Sequence, residues 1–176
     1  MTNTATAATS ATPRSSSARV EPASIIISPI MATPPAGYAY QAKQGDIARI
    51  EGLGYTDGVM VRKFDTPSYL TPGDAPYVEY ELDIQEGDSV VEVRSLPTLR
   101  VYEGRDARYA VQLGNSKPQV FSIHAGDFTA EWRWNVLRGY ASRSITIPNA
   151  CKGKQKFRIY YLDPGIVLQE VLVFSN

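Results

Sequence analysis

The sequence predicts an all-β fold, an antiparallel β-sandwich or jelly roll with one short helix. Two observations support this prediction: apolar and polar residues alternate along several short runs, and turn-forming residues separate these runs at short intervals. In addition, the chain shows no alternation of strand and helix patterns, no repeat of fixed period and no coiled-coil heptads. We therefore expect two antiparallel layers packed around one core.

Low complexity sets the first 37 residues apart from the rest of the chain. Of these residues, 25 are Ser, Thr, Ala or Pro, and only Arg14, Arg19 and Glu21 are charged. Such a segment buries too little apolar surface to offset its chain entropy, so we expect residues 1–37 to be disordered. The composition fits a linker, a fragment start or an organellar transit peptide. The β-sandwich domain is expected to span residues 38–176.

Period-two runs define the expected strands in chain order. The apolar residues that share a face within each run are Val78, Tyr80 and Leu82; Val91 and Val93; Tyr109, Val111 and Leu113; and Phe157, Ile159 and Tyr161. Residues 166–174 are nearly all apolar, which is typical of a central strand buried on both faces. The preceding Asp-Pro-Gly at residues 163–165 predicts a tight hairpin between two antiparallel strands.

One helix and one glycine-rich loop complete the expected architecture. We expect the helix between Asp127 and Leu137, with Asp127 as N-cap and Gly139 as stop; a strand over residues 132–136 is the alternative. Residues 51–58 contain glycines in the spacing G-x-G-x-x-x-G, which differs from the dinucleotide fingerprint. These glycines are therefore expected to form a tight loop between two strands.

Charge and composition exclude several classes of function. The chain has 18 Lys and Arg against 18 Asp and Glu, so it lacks the basic excess that nucleic acid or an anionic membrane requires. Because it has one cysteine and one histidine, Cys151 and His124, an intrachain disulfide and an ordinary zinc site are excluded. We expect no cofactor, no metal, no nucleic-acid partner and no membrane partner.

Candidate catalytic residues are few. Glu79 and Glu81 are two apart on one expected strand, about 7 Å between Cα atoms, which resembles a glycosidase carboxylate pair. Both lie on the expected polar face, so a solvated strand face is the favoured interpretation. His124 is either a general base or a partly exposed loop histidine. Cys151 lies in a turn just before Lys152 and Lys154 and has no clear catalytic partner. We expect no catalytic residue in this chain.

Aromatic residues provide the best binding signal. The chain has 11 Tyr, 5 Phe and 2 Trp, all of them after residue 37, and Trp and Tyr suit sugar rings because each combines a flat apolar body with a polar group. Trp132 and Trp134 are two apart and face different directions on a helix or a strand. At most one is therefore expected in the core, and the other is available to a ligand or a neighbouring domain. Trp132, Trp134, Arg138 and Tyr140 form a candidate carbohydrate-binding cluster, and the alternative is that both tryptophans are structural.

Two arginines form a second candidate cluster. Arg105 and Arg108 lie close to Tyr102 and Tyr109 in the sequence. A guanidinium pairs bidentately with a carboxylate, so these arginines are predicted to bind the uronate group of an acidic sugar. The alternative is an ordinary polar hairpin.

Six short motifs occur in a distinctive order. They are IEGLG at residues 50–54, PYVEY at 76–80, LPT at 96–98, RYAV at 108–111, WNV at 134–136 and LDPGIVLQ at 162–169. This order resembles the C-terminal domain of family 115 glycoside hydrolases, which are xylan α-1,2-glucuronidases. The resemblance covers about residues 38–174 and implies a β-sandwich similar to carbohydrate-binding modules. The family's catalytic machinery lies in preceding domains, so the resemblance transfers no catalytic residue.

The resemblance also implies partners. These are glucuronoxylan or a related polysaccharide, the catalytic domain of a glycoside hydrolase, and a second copy of the chain in a homodimer. Where related modules tend to have Glu-Ala-Glu beside a structural calcium, this chain has Gln41-Ala42-Lys43, which removes hard anionic ligands. The resemblance therefore implies no calcium at this point.

Three hypotheses of function follow from these observations. The first is a non-catalytic C-terminal accessory module of a xylan α-glucuronidase, which associates with carbohydrate or packs on a catalytic domain. The second is a purely structural docking or dimerisation domain. The third is a stand-alone hydrolase that acts on acidic xylo-oligosaccharides through Glu79, Glu81 or His124. The family role implies secretion, but the chain shows no clear signal peptide.

Overall fold

The computed structural model describes residues 24–27, 47–52, 58–62, 65–98 and 106–175. In these residues it contains β1 (Ser24–Ile27), β2 (Ile47–Glu51), β3 (Gly58–Arg62), β4 (Tyr77–Ile84), β5 (Gly87–Ser95), β6 (Arg108–Leu113), β7 (Gln119–Ser122), α1 (Ala130–Arg138), β8 (Ala141–Ala150), β9 (Gly153–Tyr161) and β10 (Val167–Ser175).

The described strands form two antiparallel sheets. Sheet A has the order β2-β3-β10-β5-β8, and β1 joins it by pairing with β10. Sheet B has the order β4-β9-β6-β7. Residues from both sheets contribute to one large apolar cluster, so the structure confirms the predicted all-β sandwich.

The core between the sheets contains the strand faces that the period-two runs predict. In β4, Val78, Tyr80 and Leu82 are buried, whereas Glu81 is exposed. The matching residues of the other strands are also in the core: Val91, Val93, Tyr109, Val111, Leu113, Phe157, Ile159 and Tyr161. Full burial of one large apolar side chain contributes about 1.5–3 kcal/mol, so this alternation is the main source of the sandwich's stability.

β10 is an interior strand of sheet A. It pairs with β5 along one edge and with β3 and β1 along the other. Val171 and Val173 belong to the core between the sheets, and Leu172, which points to the opposite face, is only 3% exposed. The prediction of a strand buried on both faces is therefore confirmed.

The Asp-Pro-Gly turn at residues 163–165 does not form the predicted hairpin. β9 belongs to sheet B and β10 belongs to sheet A, so this segment carries the chain from one sheet to the other. Gly165 adopts the left-handed conformation with φ of 78°, and its N–H donates to the carbonyl of Arg62 at 3.2 Å. The turn sequence specified a local reversal, but it could not specify which strands pair across it.

The predicted helix is confirmed, and the alternative of a strand over residues 132–136 is wrong. Its N-cap is Thr129, not Asp127, because the Thr129 hydroxyl accepts the Trp132 N–H at 3.2 Å. Gly139 ends the helix as expected, in the left-handed conformation with φ of 76°.

The two ends of the glycine-rich loop also agree with the prediction. β2 and β3 pair antiparallel in a register that places Glu51 opposite Gly58, so the intervening residues connect neighbouring strands. Gly52, at the start of this connection, has a φ of 71°. Residues 53–57 lie outside the described part of the chain.

β1 differs from the expectation that residues 1–37 lack regular structure. Ser24–Ile27 pairs antiparallel with β10, from Ser24 opposite Phe174 to Ile27 opposite Val171. Three consecutive isoleucines have a high preference for strands, and the edge of β10 supplies the hydrogen-bonding groups that an isolated strand lacks. The other residues of this segment are outside the described residues.

Candidate functional site

Helix α1 exposes apolar residues and buries a polar one. Asn135 is 2% exposed, whereas Trp134 is 66% and Leu137 is 77% exposed. Surface helices normally show the opposite arrangement, with the apolar stripe facing the core. Val136, and Phe128 just before the helix, are exposed as well. We call Phe128, Trp134, Val136 and Leu137 the α1 apolar face. Within it, Trp134 and Leu137 are neighbours on the helix, whereas Val136, two residues from Trp134, points in a different direction.

Phe128 adds a second unusual feature to this face. Its backbone is in the left-handed region, with φ of 60°, a conformation that costs a residue with a β-carbon about 1–2 kcal/mol. Its side chain is 79% exposed and lies against Trp132, with ring centroids 5.4 Å apart. The fold thus holds an aromatic ring in solvent at an energetic cost, which is a common feature of functional sites.

Polar contacts explain how Asn135 can be buried. Its Oδ1 accepts a hydrogen bond from Nη2 of Arg138 at 2.7 Å, and Nε of the same arginine donates to the carbonyl of Tyr140 at 2.9 Å. The carbonyl of Gly139 accepts from the buried side chain of Gln169 at 3.0 Å. The helix end is thus held by hydrogen bonds, so its apolar residues are not needed for this attachment.

Two guanidinium groups lie close to the ring of Tyr140. Cζ of Arg94 is 4.3 Å from the centre of the Tyr140 ring, and Cζ of Arg138 is 4.6 Å from it. Arg94 also pairs with Glu92 at 2.5 Å and with Glu170 at 2.9 Å. Two of the four residues in the first predicted cluster, Arg138 and Tyr140, are therefore in contact, and cation–π attraction supports this packing.

The start of the helix is attached through an arginine on β8. Nη2 of Arg143 donates to Glu131 at 3.0 Å, and its Nε donates to the carbonyl of Ser122 on β7 at 3.0 Å. Glu131 lies in the first turn, where the helix dipole favours a negative charge. Both ends of α1 are thus joined to the sandwich, which positions the α1 apolar face as a defined surface.

The two tryptophans have different environments, as their spacing predicts. Trp132 is half-buried against Phe128, whereas Trp134 is largely exposed. Trp134 and Leu137 are three residues apart and so are neighbours on the helix surface. The sequence analysis missed Phe128, Val136 and Leu137. On a helical wheel of α1, Leu137 lies beside Trp134 and nearly opposite Asn135, whereas Phe128 precedes the helix and no wheel would have revealed it.

The second predicted cluster lies only partly within the described residues. Arg105 lies outside them. Arg108 is bound internally, because its Nε and Nη2 donate to the two oxygens of Asp163 at 2.9 and 3.1 Å. Burial alone would raise the pKa of Asp163, but the hydrogen bonds and charge of Arg108 outweigh burial and lower this pKa. Arg108 was expected to bind the carboxylate of a sugar, but in the structure it binds the carboxylate of Asp163.

Both glutamates of the candidate pair on β4 form ion pairs with basic residues on β9. Glu79 contacts Lys156 at 2.9 Å and Arg158 at 2.6 Å, and Glu81 contacts Lys154 at 2.7 Å. Burial alone would raise the pKa of Glu79, but hydrogen bonds from Lys156 and Arg158 lower it. A general acid needs the opposite shift, so the environment of Glu79 argues against a general-acid role for this residue.

The remaining candidates of the sequence analysis, His124 and Cys151, lie on segments other than α1. His124 is half-buried after β7, and its backbone N–H donates to the Ser122 hydroxyl at 3.1 Å. Cys151 is exposed between β8 and β9. Among the described residues, no group of three His, Cys, Asp or Glu side chains is placed to hold a metal ion. The same residues contain no helix that is long and apolar enough to span a membrane.

Comparison with known proteins identifies relatives of the chain. The family model described as the glycosyl hydrolase family 115 C-terminal domain matches residues 33–175. A solved family GH115 4-O-methyl-α-glucuronidase with specificity for decorated arabinogalactans is similar at 27% identity and a TM-score of 0.62. The match covers 77% of this chain and 16% of that enzyme. No curated protein matches the chain.

Two carbohydrate-binding modules have a similar fold. The C-terminal family 6 module of a marine laminarinase from Zobellia galactanivorans matches with a TM-score of 0.50 and 13% identity, over 87% of this chain and 100% of the module. A family 35 module from Clostridium thermocellum matches with a TM-score of 0.50 and 12% identity, over 88% and 99%. At these identities the likeness shows the sandwich fold alone.

Proposed function

Because the chain belongs to the glycosyl hydrolase family 115 C-terminal domains, and is thus a glycoside hydrolase accessory module, we propose that it packs on the catalytic part of such an enzyme. The surface that makes this contact is the α1 apolar face. The exposure of Trp134 and Leu137 above a buried Asn135 is the observation that carries the proposal. Grouped, exposed apolar side chains on a rigid element are typical of protein interfaces.

The side-chain types in this face favour a protein partner. Phe128 and Leu137 are 79% and 77% exposed and carry no hydrogen-bonding group. A sugar ring has a polar rim that needs hydrogen bonds, whereas a protein interface combines an apolar centre with a charged rim. Arg133 and Arg138, exposed on the same helix, provide such a rim.

The small share of the similar enzyme that this module represents agrees with a packing role. The module corresponds to 16% of the length of the family GH115 structure, so most of that enzyme is available as a packing surface. Covering the side chains of Phe128, Trp134 and Leu137 on association contributes several kcal/mol, before the entropic cost of association is subtracted. A contact of this kind is strong when the module and the catalytic part are in one polypeptide.

Binding of glucuronoxylan or a related acidic polysaccharide is the second candidate function. The exposed indole of Trp134 favours it, because an exposed tryptophan on a rigid support can stack on a sugar ring. Trp132, Arg138 and Tyr140 lie in or next to the same helix, and Arg105 remains a predicted contact. Arg108 is removed from this proposed site, because Asp163 occupies its guanidinium.

Sedimentation velocity tests the packing proposal directly. The chain is mixed with a family 115 enzyme from which the C-terminal domain has been deleted. The wild type and the matched variant Leu70→Gln, which changes an 88% exposed leucine before β4, should both form a complex. Leu137→Gln should weaken it at least about tenfold. Equal binding by both variants, or no complex with the wild type, contradicts the proposal.

Affinity electrophoresis in gels that contain glucuronoxylan tests the second candidate. Trp134→Ala should lose retardation in the gel, and Leu137→Gln should keep it. If the wild type is not retarded, or if Trp134→Ala migrates like the wild type, the polysaccharide candidate is wrong, and the packing proposal is unaffected.

A further inference from the structure

The two edges of β10 are filled in different ways. On one edge, β5 pairs with β10 from Leu168 to Ser175. On the other edge, β3 pairs only with Val167 and Leu168, and β1 pairs with residues 171–174. Without β1, every second residue of this stretch would present an unpaired N–H and C=O at this edge within the described part of the sheet, which is energetically unfavourable and promotes aggregation.

β1 is separate from the domain whose sheet it completes. The family match begins at residue 33, after the end of β1 at Ile27. Residues 28–46 lie between β1 and β2, so β1 is not the arm of a short hairpin. Its place beside β10 therefore depends on the contact itself and not on a tight turn.

The sequence of the β1 segment suits a docking strand. Ile25, Ile26 and Ile27 are β-branched and favour extended backbone. Pro22 and Pro29 flank the strand, and because proline has no N–H group, each limits the extension of the hydrogen-bond ladder. Such an apolar run aggregates readily when it is unpaired, so a protected position in the fold also keeps it soluble.

We propose that residues 171–174 of β10 form a strand-acceptor site that binds an extended, β-branched peptide by backbone pairing, and that Ser24–Ile27 is its occupant. The segment before the domain is thereby tied to the C-terminal half of β10. Main-chain hydrogen bonds provide affinity, and the run of isoleucines between prolines provides selectivity. This site is distinct from the α1 apolar face and does not depend on the proposed function.

Hydrogen exchange on the full chain tests the acceptor site. Ile26→Pro removes a backbone N–H from the middle of β1. It should accelerate exchange at least about tenfold at the two residues of 171–174 whose N–H groups point to β1, whereas the two that point to β5 should stay protected. Exchange in β4 and β9 should not change, and the control Ala8→Pro should behave like the wild type. A synthetic peptide of residues 20–32, added in excess to the Ile26→Pro chain, should restore protection, and the same peptide with Ile26→Pro should not.

Unchanged exchange at residues 171–174 in Ile26→Pro overturns the proposal, and so does failure of the wild-type peptide to restore protection. If Ile26→Pro prevents folding, a cross-link replaces this test. Ile26→Cys and Leu172→Cys, combined with Cys151→Ser, place two thiols at paired positions of β1 and β10. A disulfide between them under mild oxidation supports the site, and recovery of only free thiols from the folded chain overturns it.

Discussion

The carboxylate of Asp163 accepts three hydrogen bonds from Arg108: one from the backbone N–H at 2.8 Å, one from Nε at 2.9 Å and one from Nη2 at 3.1 Å. In return, the carbonyl of Arg108 accepts the N–H groups of Leu162 and Asp163. These contacts clamp the segment that passes from sheet B to sheet A onto the start of β6. Arg108 is thus a structural residue of the sandwich.

Asp163→Asn should lower the free energy of unfolding by about 2 kcal/mol at neutral pH. This is less than for a fully buried pair, because Arg108 is partly exposed and screened by solvent. The folded-state pKa of Asp163 is lowered, so the carboxylate stabilises the fold above its unfolded pKa, and this stability is lost as the pH falls through the folded value.

Urea unfolding of Asp163→Asn and wild type at a series of pH values measures this difference. It should be largest near neutral pH and should shrink below about pH 4. The exposed Asp83 offers a matched control, since Asp83→Asn should change stability little at any pH. A constant difference between Asp163→Asn and wild type across this range would show that the ionised carboxylate is not what stabilises the crossover.

Tyr109→Phe should raise the free energy of unfolding by about 1 kcal/mol. The Tyr109 hydroxyl is buried in the core, and no group in the described part of the chain makes a hydrogen bond with it. Its removal therefore relieves a desolvation penalty. Tyr160→Phe is the matched control: its hydroxyl donates to Gln112 Oε1 at 2.5 Å, so this variant should lose about 1 kcal/mol. If chemical denaturation gives the same change in the free energy of unfolding for both variants, the Tyr109 hydroxyl does not carry the proposed desolvation penalty.

Gly139→Ala should destabilise the protein by about 1 kcal/mol because Gly139 ends α1 with a φ of 76°. A β-carbon at this position would meet no atom within 4 Å, so the cost is conformational and not steric. Gly73 also has open space around a β-carbon but lacks a positive φ, so Gly73→Ala should be close to neutral. Thermal melts of both variants check this; a destabilised Gly73→Ala with an unaffected Gly139→Ala would reverse the interpretation.

Iodide quenching of fluorescence should separate the two tryptophans. Trp134 is 66% exposed, so Trp134→Phe should remove most of the emission that iodide quenches, and the remaining emission should shift to shorter wavelength. Trp132→Phe removes the half-buried indole beside Phe128 and leaves the exposed Trp134, so iodide should quench the spectrum of this variant strongly. Similar quenching of the two variants would mean that the α1 apolar face is covered in solution.

The local sequence pattern determined the strands, their inner faces and the helix. Side chains alternate across a strand by geometry, so the alternation at Val78, Tyr80 and Leu82 assigned a buried face without knowledge of the partner strand. Gly139 likewise ended the helix through its own conformational freedom. The spacing of Trp132 and Trp134 separated their environments for the same local reason.

Tertiary structure decided the pairing of strands and the roles of the charged residues. The Asp-Pro-Gly turn became a crossover because β9 found its partners in β4 and β6, which are distant in the sequence. Arg108 binds the carboxylate of Asp163, 55 residues away. Asn135 of α1 can be buried because Arg138 donates a hydrogen bond to its amide oxygen. Strand pairing and ion pairing depend on contacts between residues that are distant in the sequence and come together when the two sheets pack. The local spacing of residues carries no information about these contacts.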